Sequence, residues 1–292
     1  MKELRGTGVA IVTPFDANGQ VDYVAFSGLI ETYIHAGIDY IVALGTTAET
    51  ATLTTAEKQK IARHIVALVD GSLPLVYGLG GNNTQALVDE LATTDFTGYC
   101  AILSVCPYYN RPNQQGIYMH YSAIAKASPL PVMLYNVPSR TGVSIANSTT
   151  LALAKDHTNI IGIKDATGDL TLGKELIAQT PEHFLVLSGD DSTAFHLTLA
   201  GGDGVISVIG GGHPEAFSRL IRYGFEGKKE KGEALLQNFL PLISLLFEEG
   251  NPTGLKALLH QQNAMENQLR LPLVSASETL YERIRVAAQN ID

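Results

Sequence analysis

The sequence is poor in residue types on which whole classes of protein depend. It contains no tryptophan and only two cysteines, Cys100 and Cys106, among 292 residues. The two are not spaced as Cys-x-x-Cys, which excludes a disulfide scaffold and a thiolate metal site. No apolar run reaches the roughly 20 residues that a helix needs to cross a bilayer. We therefore expect neither a small disulfide-rich fold nor a membrane span.

Charge, and basic charge in particular, is also scarce. Only 17% of the residues are charged, and 20 Lys and Arg stand against 29 Asp and Glu, a formal net charge of −9. Binding to nucleic acid or to an anionic membrane needs clustered Lys and Arg, so both functions are disfavoured. The first apolar stretch is broken early by Pro14 and is too short for a secretory signal. We expect a cytoplasmic enzyme or binding protein that acts on a small molecule.

What the sequence does contain is a regular alternation of two kinds of segment. Short, nearly all-apolar runs rich in β-branched residues are typical of strands buried on both faces of a parallel sheet. Longer segments with a helical apolar period follow them. Strands are predicted at 8–13, 39–44, 73–78, 99–105, 131–136, 160–165, 184–189 and 204–208. Helices are predicted at 23–36, 54–69, 83–96, 114–127, 148–155, 170–179, 192–200 and 214–226.

Eight strand–helix units fit a closed (β/α)8 barrel, a TIM barrel of the α/β class, over residues 1–226. An open doubly wound sheet is the alternative, but it favours a glycine-rich turn after the first strand, and Thr-Pro-Phe-Asp at 13–16 is not one. After residue 226 the pattern changes to three helices without strands, at 228–249, 252–265 and 275–290. Residues 227–292 are predicted to pack on the barrel or against another subunit.

Reactive side chains are expected where the strands end, because active sites of this architecture lie at the carboxyl ends of the strands. Lys164 follows the apolar run at 160–163. Burying a charged lysine is costly, and a desolvated neutral amine is the form that attacks a ketone. The alternative is a lysine that reaches solvent or pairs with Asp165. Tyr135 ends the preceding run, where its hydroxyl either transfers protons or simply faces water.

Two loops at the same predicted edge carry groups that suit carboxylates. The loop at 45–49, Gly-Thr-Thr-Ala-Glu, offers hydroxyl groups and backbone N–H groups, although an ordinary helix-capping loop has the same composition. Arg140 follows the tyrosine strand. Its guanidinium can bind a substrate carboxylate through two hydrogen bonds, or it can form a surface salt bridge.

Other candidate sites have weaker support. The eight histidines never occur at His-x-His or His-x-x-x-His spacing, so no metal site is predicted. Asp190 and Asp191 can bind a cation, but capping of the next helix is the simpler interpretation. The three glycines at 210–212 form either a phosphate cradle or a tight turn. The glycine-rich segment at 78–81 lacks the third glycine of a dinucleotide-binding motif, so no cofactor is predicted.

Four motifs occur together in a recognisable order and spacing. They are Gly-Thr-Thr-Ala-Glu at 45–49, Pro-Tyr-Tyr-Asn-Arg-Pro at 107–112, Tyr-Asn-Val-Pro-Ser-Arg-Thr-Gly at 135–142 and Gly-Ile-Lys-Asp-Ala at 162–166. In these motifs the chain resembles the pyruvate-dependent Schiff-base lyases, and among them the dihydrodipicolinate synthase family. The similarity extends to Leu-Arg-Leu-Pro at 269–272 and so covers nearly the whole chain. The tyrosine–arginine segment and the paired tyrosines are more specific than the lysine strand, which the wider superfamily shares.

The resemblance implies a reaction without a cofactor and a role for several residues. It implies that Lys164 forms an imine with pyruvate, which becomes an enamine and adds to the aldehyde of L-aspartate 4-semialdehyde. The adduct then cyclises to 4-hydroxy-tetrahydrodipicolinate, a precursor of lysine and diaminopimelate, and releases the lysine. A proton relay through Tyr135, Thr46 and Tyr109 is implied. In this family Tyr109 comes from the neighbouring subunit, so at least a dimer and usually a homotetramer is implied.

The resemblance also implies how the substrates are bound. Thr47 and the backbone at Ile206 would hold the pyruvate carboxylate, and Arg140 would receive the carboxylate of the semialdehyde. Gly189 is the remaining substrate-binding residue that the resemblance implies. A relay of hydroxyl groups suits this chemistry, because it moves several protons in each turnover without a charged amine base that competes for the imine.

This chain departs from the family pattern at a few positions. Ala48 replaces the usual glycine in the Gly-Thr-Thr-Gly-Glu loop, which matters if that position needs a positive φ. Lysine-inhibited relatives have a histidine and a glutamate where this chain has Lys58 and Ala86, while Asn82 and Tyr108 are kept. An added cation and a missing carboxylate repel the ammonium groups of lysine. We therefore expect weak or no inhibition by lysine.

Two other functions stay open. A sister aldolase, such as an N-acetylneuraminate lyase or a 2-keto-3-deoxy-sugar-acid aldolase, shares the lysine and tyrosine chemistry. It is not expected to combine Arg140 in this Pro-Ser-Arg-Thr-Gly setting with the paired tyrosines. A non-catalytic sensor on the same barrel is expected to have lost Lys164 or Tyr135, and both are present.

Overall fold

The computed structural model describes residues 2–291, and in this range eight parallel strands close into a barrel in chain order. Each strand pairs with the next one along the chain, and the last pairs with the first. This arrangement confirms the predicted TIM barrel. The strands are β1 Gly6–Ala10, β2 Tyr40–Ala43, β3 Leu75–Gly78, β4 Ala101–Val105, β5 Val132–Asn136, β6 Ile160–Asp165, β7 Leu185–Ser188 and β8 Gly204–Ser207.

The helices lie close to their predicted positions, with ends that differ by a few residues. A short additional helix, α5, follows β5 and was not predicted. The helices of the barrel are α1 Tyr23–Ala36, α2 Thr55–Val69, α3 Thr84–Thr93, α4 Gln114–Ala127, α5 Pro138–Thr141, α6 Asn147–Asp156, α7 Leu170–Gln179, α8 Ala194–Leu199 and α9 Pro214–Phe225. They are followed by α10 Lys229–Glu248, α11 Thr253–Gln261 and α12 Glu278–Ala288.

Local sequence signals set the ends of several helices. Thr54 and Glu57 form the predicted capping box of α2, in which each side chain accepts the other residue's backbone N–H. Asp22 accepts backbone N–H groups at the start of α1, and Gly37 ends that helix with a left-handed φ of 67°. These caps satisfy backbone groups that the helix itself leaves without partners.

The first strand is shorter than its apolar run and begins earlier than predicted. The prediction covered 8–13, whereas β1 is Gly6–Ala10. Residues 11–13 are buried, as their composition indicates, but they lie beyond the end of the strand, where the Ile11 N–H still donates to the Val42 carbonyl oxygen (3.2 Å). There the Thr13 hydroxyl donates to the Ala48 carbonyl oxygen (2.8 Å). The apolar run therefore predicted burial correctly, but it did not predict where the strand pairing ends.

The strands are buried on both faces, which explains why their sequences are almost entirely apolar. Alternate residues of the strands fill the barrel interior, and the others pack against the surrounding helices. The interior cluster includes Val42, Val76, Leu103, Met133, Leu187 and Ile206. Such a filled interior leaves the carboxyl ends of the strands as the place for an active site.

The C-terminal helices pack on the barrel. α10 contacts α8 and α9 of the barrel as well as α11 and α12. The Phe217 and Phe239 rings meet edge to face, with centroids 5.3 Å apart. The division into residues 1–226 and 227–292 stays a prediction, and the junction lies between α9 and α10. In the described part of the chain, no helix is long and apolar enough to span a membrane.

Candidate active site

A cavity of about 610 Å³ opens at the carboxyl ends of the strands. The loops after β2, β4 and β5 form its wall together with residues of the C-terminal region. Its lining includes Thr46, Lys58, Tyr108, Tyr135, Arg140 and Asn251. A hollow of about 680 Å³ lies on the opposite side, near the amino ends of β7 and β8, and it contains none of the predicted site residues. The predicted chemistry and the first of these cavities thus lie at the same end of the barrel.

Lys164 and Tyr135 are brought together by the pairing of β5 with β6. The two residues are direct partners in the register, and the Lys164 Nζ lies 4.2 Å from the centre of the Tyr135 ring. Only 5% of Lys164 and 7% of Tyr135 are exposed. Among the described residues, no carboxylate lies within ion-pair distance of this amine. The lysine side chain is therefore buried beside the phenol of Tyr135 and does not extend into bulk water.

The neighbouring carboxylate, Asp165, is engaged elsewhere. It accepts hydrogen bonds from Asn136 Nδ2 (2.8 Å) and Thr167 Oγ1 (2.6 Å). Burial raises the pKa of Asp165, and these hydrogen bonds oppose the rise. The alternative in which Lys164 pairs with Asp165 is thus not what the structure contains.

Gly189 leaves room for the lysine side chain. A Cβ at this position would lie 2.9 Å from Lys164 Cε and 2.8 Å from Ala166 Cβ, closer than such atoms approach. The Gly189 N–H also donates to the Asp165 carbonyl oxygen (2.7 Å), which holds the end of β7 against β6. The absence of a side chain here is what allows Lys164 to extend along this edge.

The loop at 45–49 keeps a compact form despite Ala48. Thr46–Ala48 form a 3-10 turn, and Ala48 is not among the residues with a positive φ. The residues with a left-handed φ lie before and after this turn, at Leu44 (φ 55°) and Glu49 (φ 53°). Thr47 is buried, and its Oγ1 accepts a hydrogen bond from Asn251 Nδ2 (2.9 Å). Glycine is therefore not required at position 48.

Arg140 lies within α5, and its side chain is on the wall of the cavity. Its Nη2 donates to the Asn251 backbone oxygen (3.0 Å), and within the described chain it forms no ion pair. Ile206 lies on β8 and is buried in the barrel interior. Ile206 is one residue from the carboxyl end of β8, and Arg140 lies in a short helix after β5 where a loop was predicted.

Tyr109 is the predicted residue that the chain does not bring into its own site. The residue is 89% exposed, has a φ of 72°, and does not line the cavity, whereas its neighbour Tyr108 does. Within the described residues, the hydroxyl groups of Thr46, Tyr109 and Tyr135 form no hydrogen bond with one another. The predicted relay is therefore not assembled within a single chain.

The weaker candidates have structural roles. Asp190 accepts a hydrogen bond from the Thr193 N–H (3.0 Å), as a capping residue does. Asp191 is buried, accepts hydrogen bonds from the Val208 and Ile209 N–H groups, and burial raises its pKa to about 6. At 210–212 the glycines form a tight turn against α11, where a Cβ on Gly212 would lie 2.5 Å from Leu258 Cδ2. This turn is built for helix packing rather than for a phosphate. In residues 2–291, no three His, Cys, Asp or Glu side chains are grouped to hold a metal ion.

Sequence reasoning missed several residues that support the site. Asn251, Lys256 and Arg270 all come from the C-terminal region, which was predicted to pack on the barrel but not to reach the active site. Lys256 had a usable signal, because it is a lone lysine among the apolar residues Leu255, Ala257 and Leu258, a pattern similar to the one that drew attention to Lys164. Arg270 lies in the Leu-Arg-Leu-Pro segment of the resemblance, which assigned it no role. Asn251 had no signal, since an asparagine outside regular structure is unremarkable in a sequence.

A desolvated amine beside a phenol at this end of a closed barrel defines a class, the barrel enzymes that capture a keto acid on a lysine. The whole chain then decides the family. The chain belongs to the dihydrodipicolinate synthetase family, whose model matches residues 3–291. The resemblance predicted from the four motifs is thereby confirmed.

Individual relatives agree over almost the full length. The chain is 48% identical to a 4-hydroxy-tetrahydrodipicolinate synthase of Flavobacterium psychrophilum, over 97% of both chains. It superimposes with a TM-score of 0.95 and 39% identity on the chloride-inhibited dihydrodipicolinate synthase of Acinetobacter baumannii in complex with pyruvate, covering 99% of both chains. A structure described as the first monomeric dihydrodipicolinate synthase variant matches with a TM-score of 0.95 and 37% identity, covering 99% of this chain and 97% of that one.

Proposed function

We propose that the protein acts as a 4-hydroxy-tetrahydrodipicolinate synthase, with Lys164 as the residue that binds pyruvate covalently. Its family and the activity named for its relatives support the reaction. The observation that carries the mechanism is the position of Lys164, a residue that is 5% exposed and whose Nζ lies 4.2 Å from the Tyr135 ring centre. A buried amine beside a phenol at the carboxyl ends of the strands is well placed to attack a keto carbon.

The reaction begins when the Lys164 Nζ attacks the keto carbon of pyruvate. Water leaves as the imine forms, and loss of a proton from the methyl carbon gives an enamine. That carbon attacks the aldehyde carbon of L-aspartate 4-semialdehyde, and the aldehyde oxygen becomes a hydroxyl group. The amino group of the semialdehyde then attacks the imine carbon, which closes the ring and frees the lysine. Each step moves a proton, and the Tyr135 hydroxyl is the group best placed to carry it.

The carboxylates of the two substrates need separate partners. Thr47 and the backbone at Ile206 receive the pyruvate carboxylate, and Arg140 on the cavity wall receives the carboxylate of the semialdehyde. Gly189 keeps the space beside the lysine open. The held geometry matters because reactants in the right orientation react far faster than the same groups free in solution.

The active unit is a homo-oligomer, a dimer or a tetramer built from dimers, in which Tyr109 of one subunit completes the relay of another. Two features of Tyr109 support this role. The residue is 89% exposed in a single chain, and its left-handed backbone conformation is otherwise unexplained. Sedimentation at assay concentration tests it together with Tyr109→Phe. We expect a dimer or larger and a large fall in kcat for the variant. A fully active monomer with an unimpaired Tyr109→Phe variant would contradict it.

Borohydride trapping tests the mechanism directly. Incubation with pyruvate and reduction should add one reduced pyruvate to the chain, and peptide mapping should place it on Lys164. An unmodified chain, as expected of a sensor protein, would overturn the proposal. The trapped enzyme does not separate this reaction from that of a sister aldolase. Assays with L-aspartate 4-semialdehyde and with sugar-acid aldehydes as second substrate make that distinction, and we expect turnover only with the semialdehyde.

A further inference from the structure

Behind the loop at 45–49 lies an ion pair that the mechanism above does not use. The Lys256 Nζ is 2.6 Å from Glu49 Oε1, and both side chains are completely buried. Lys256 also donates to the Gln268 carbonyl oxygen (2.9 Å) and lies 4.2 Å from the centre of the Phe15 ring. The pair joins the barrel to the C-terminal region immediately beneath the candidate active site.

Glu49 is the joint between two short turns. Its N–H donates to the Thr46 carbonyl oxygen (3.1 Å), and its own carbonyl oxygen accepts from the Thr52 N–H (2.9 Å). Its φ of 53° is left-handed, a conformation that a non-glycine residue keeps only where its surroundings fix it. Two partners from the C-terminal region fix it, because Oε1 pairs with Lys256 and Oε2 accepts from the Arg270 N–H (3.0 Å).

The same C-terminal segment holds the substrate-facing part of the loop. The Lys256 N–H donates to the Pro252 carbonyl oxygen (2.8 Å). Asn251, the residue before Pro252, donates through its Nδ2 to Thr47 Oγ1 (2.9 Å). The Asn251 carbonyl oxygen accepts from Arg140 Nη2 (3.0 Å). The loop is thus anchored to the start of α11 at two places, through Thr47 and through Glu49.

Stability alone is a poor explanation for such a pair. Taking two charges out of water costs roughly as much as their attraction returns, and apolar residues of similar volume often stabilise a core as well or better. A charged pair differs from an apolar one in being directional, since it fixes one side chain relative to another. Burial lowers the pKa of Lys256 to about 8, and the attraction of Glu49 opposes that fall. Arg270 adds to the fall, and Glu49 is the neighbour that favours the charged form of the amine.

We propose that Glu49 and Lys256 are positioning residues for the keto-acid end of the active site. The pair fixes the Thr46–Ala48 turn relative to Lys164, so that Thr47 meets the substrate carboxylate in the orientation that imine formation requires. This inference rests on the proposed function, because it assigns the pair to the binding of pyruvate rather than to folding. Neither residue contacts the reacting atoms.

The test compares the single variants Lys256→Met and Glu49→Gln with the double variant. The double variant is essential because each single variant leaves one buried group without its partner, whereas the double variant leaves no buried charge. Pyruvate concentrations that give half-maximal borohydride trapping at Lys164 report binding and imine formation, and KM and kcat report turnover. Arg5→Met is the matched control, since it breaks an ion pair (Arg5 Nε to Asp203 Oδ1, 3.0 Å) at the amino ends of the strands.

We expect the double variant to melt close to the wild-type temperature while its KM for pyruvate and its half-trapping concentration rise about tenfold. Arg5→Met should keep the wild-type values of both. A double variant with wild-type KM and trapping would overturn this inference and leave the proposed function intact. Wild-type protein that is not trapped by pyruvate would overturn both.

Discussion

The barrel and the C-terminal helical region contribute different kinds of residue to the site. In the proposed mechanism the barrel supplies the groups that react with or bind the substrates, at the ends of β5 and β6 and in the loop after β2. The C-terminal region supplies no reacting group, yet Asn251, Lys256 and Arg270 hold the loops that the barrel contributes. The reactive groups lie on strands whose pairing fixes them, whereas the loops need help from outside the barrel. Strand ends thus carry the chemistry, and an appended region fixes the loops around it.

Arg270 shows how closely the two regions are joined. Its guanidinium donates to the Gly19 and Thr52 carbonyl oxygens and to the Glu57 carboxylate, and it lies 4.4 Å from the centre of the Phe15 ring. One side chain from the C-terminal region therefore connects the loop after β1 with the loop after β2 and the start of α2.

The largest effect should come from the barrel. Lys164→Met should lower kcat by at least about a thousandfold, because it removes the nucleophile itself. Its melting temperature should stay the same or rise, since a buried amine without an ion-pair partner is replaced by an apolar side chain of similar length. Steady-state rates, borohydride trapping and thermal melts measure this. Trapping of pyruvate on a different lysine of the variant would show that the wrong amine was assigned.

Gly189→Ala should have the next largest effect, again from the barrel. The added methyl group would lie 2.9 Å from Lys164 Cε and would push the amine aside. A misplacement of about 1 Å lowers activity by about a hundredfold. We expect kcat/KM to fall by that order while the protein stays folded. Gly19→Ala is a control for added bulk, since nothing lies within 4 Å of a Cβ there, although its φ of 72° requires a melting curve beside the rates.

A substitution in the C-terminal region should act on binding more than on chemistry. Asn251→Ala removes the hydrogen bond to Thr47 Oγ1 and keeps the backbone oxygen that Arg140 contacts. One such bond is worth about 1 kcal/mol, so KM for pyruvate should rise up to about tenfold with a smaller change in kcat. Gln237→Ala on α10 is the matched control, because its side chain bonds only to Glu233 among the described residues. Equal KM and kcat values for the two variants would mean that the C-terminal region does not contribute to substrate binding.

The contact between Arg270 and Glu57 should appear in the pH dependence of stability. The Arg270 guanidinium holds the pKa of Glu57 at about 2, below that of an unfolded glutamate. As the pH falls from about 4.5 towards 2, the unfolded chain takes up this proton first, so the pair's contribution to stability is lost. Melting temperatures between pH 7 and pH 2.5 should therefore fall less steeply for Glu57→Gln than for the wild type. Parallel curves would mean that the pair makes no net contribution.

The smallest effect is expected from lysine as an added ligand. Lys58 on α2 lines the cavity and Ala86 offers no carboxylate, so the ammonium groups of lysine meet a cation instead of an acceptor. We expect little inhibition at millimolar lysine in a rate assay. Half-maximal inhibition by less than 1 mM lysine would contradict the expectation that Lys58 and Ala86 weaken lysine binding.

The sequence alone determined the barrel and its central pair of residues. Strands covered on both sides must be apolar throughout, so eight apolar runs with helices between them were sufficient to predict a closed parallel barrel. A lysine and a tyrosine at the ends of two consecutive runs then had to be neighbours, because consecutive strands pair. Local signals such as the Thr54 and Glu57 capping box were readable for the same reason, since each depends on residues close together in the chain.

Only the tertiary structure decided which distant segments hold the loops. Thr47 and Asn251 are 204 positions apart, and Glu49 meets Lys256 across a similar span. A periodic pattern reports that a side chain is buried but not which partner it finds, because the partner is set by closure of the barrel and by the packing of the C-terminal helices over it. The negative φ at Ala48 and the end of β1 could not be predicted from the sequence for the same reason. Each is a property of the assembled chain.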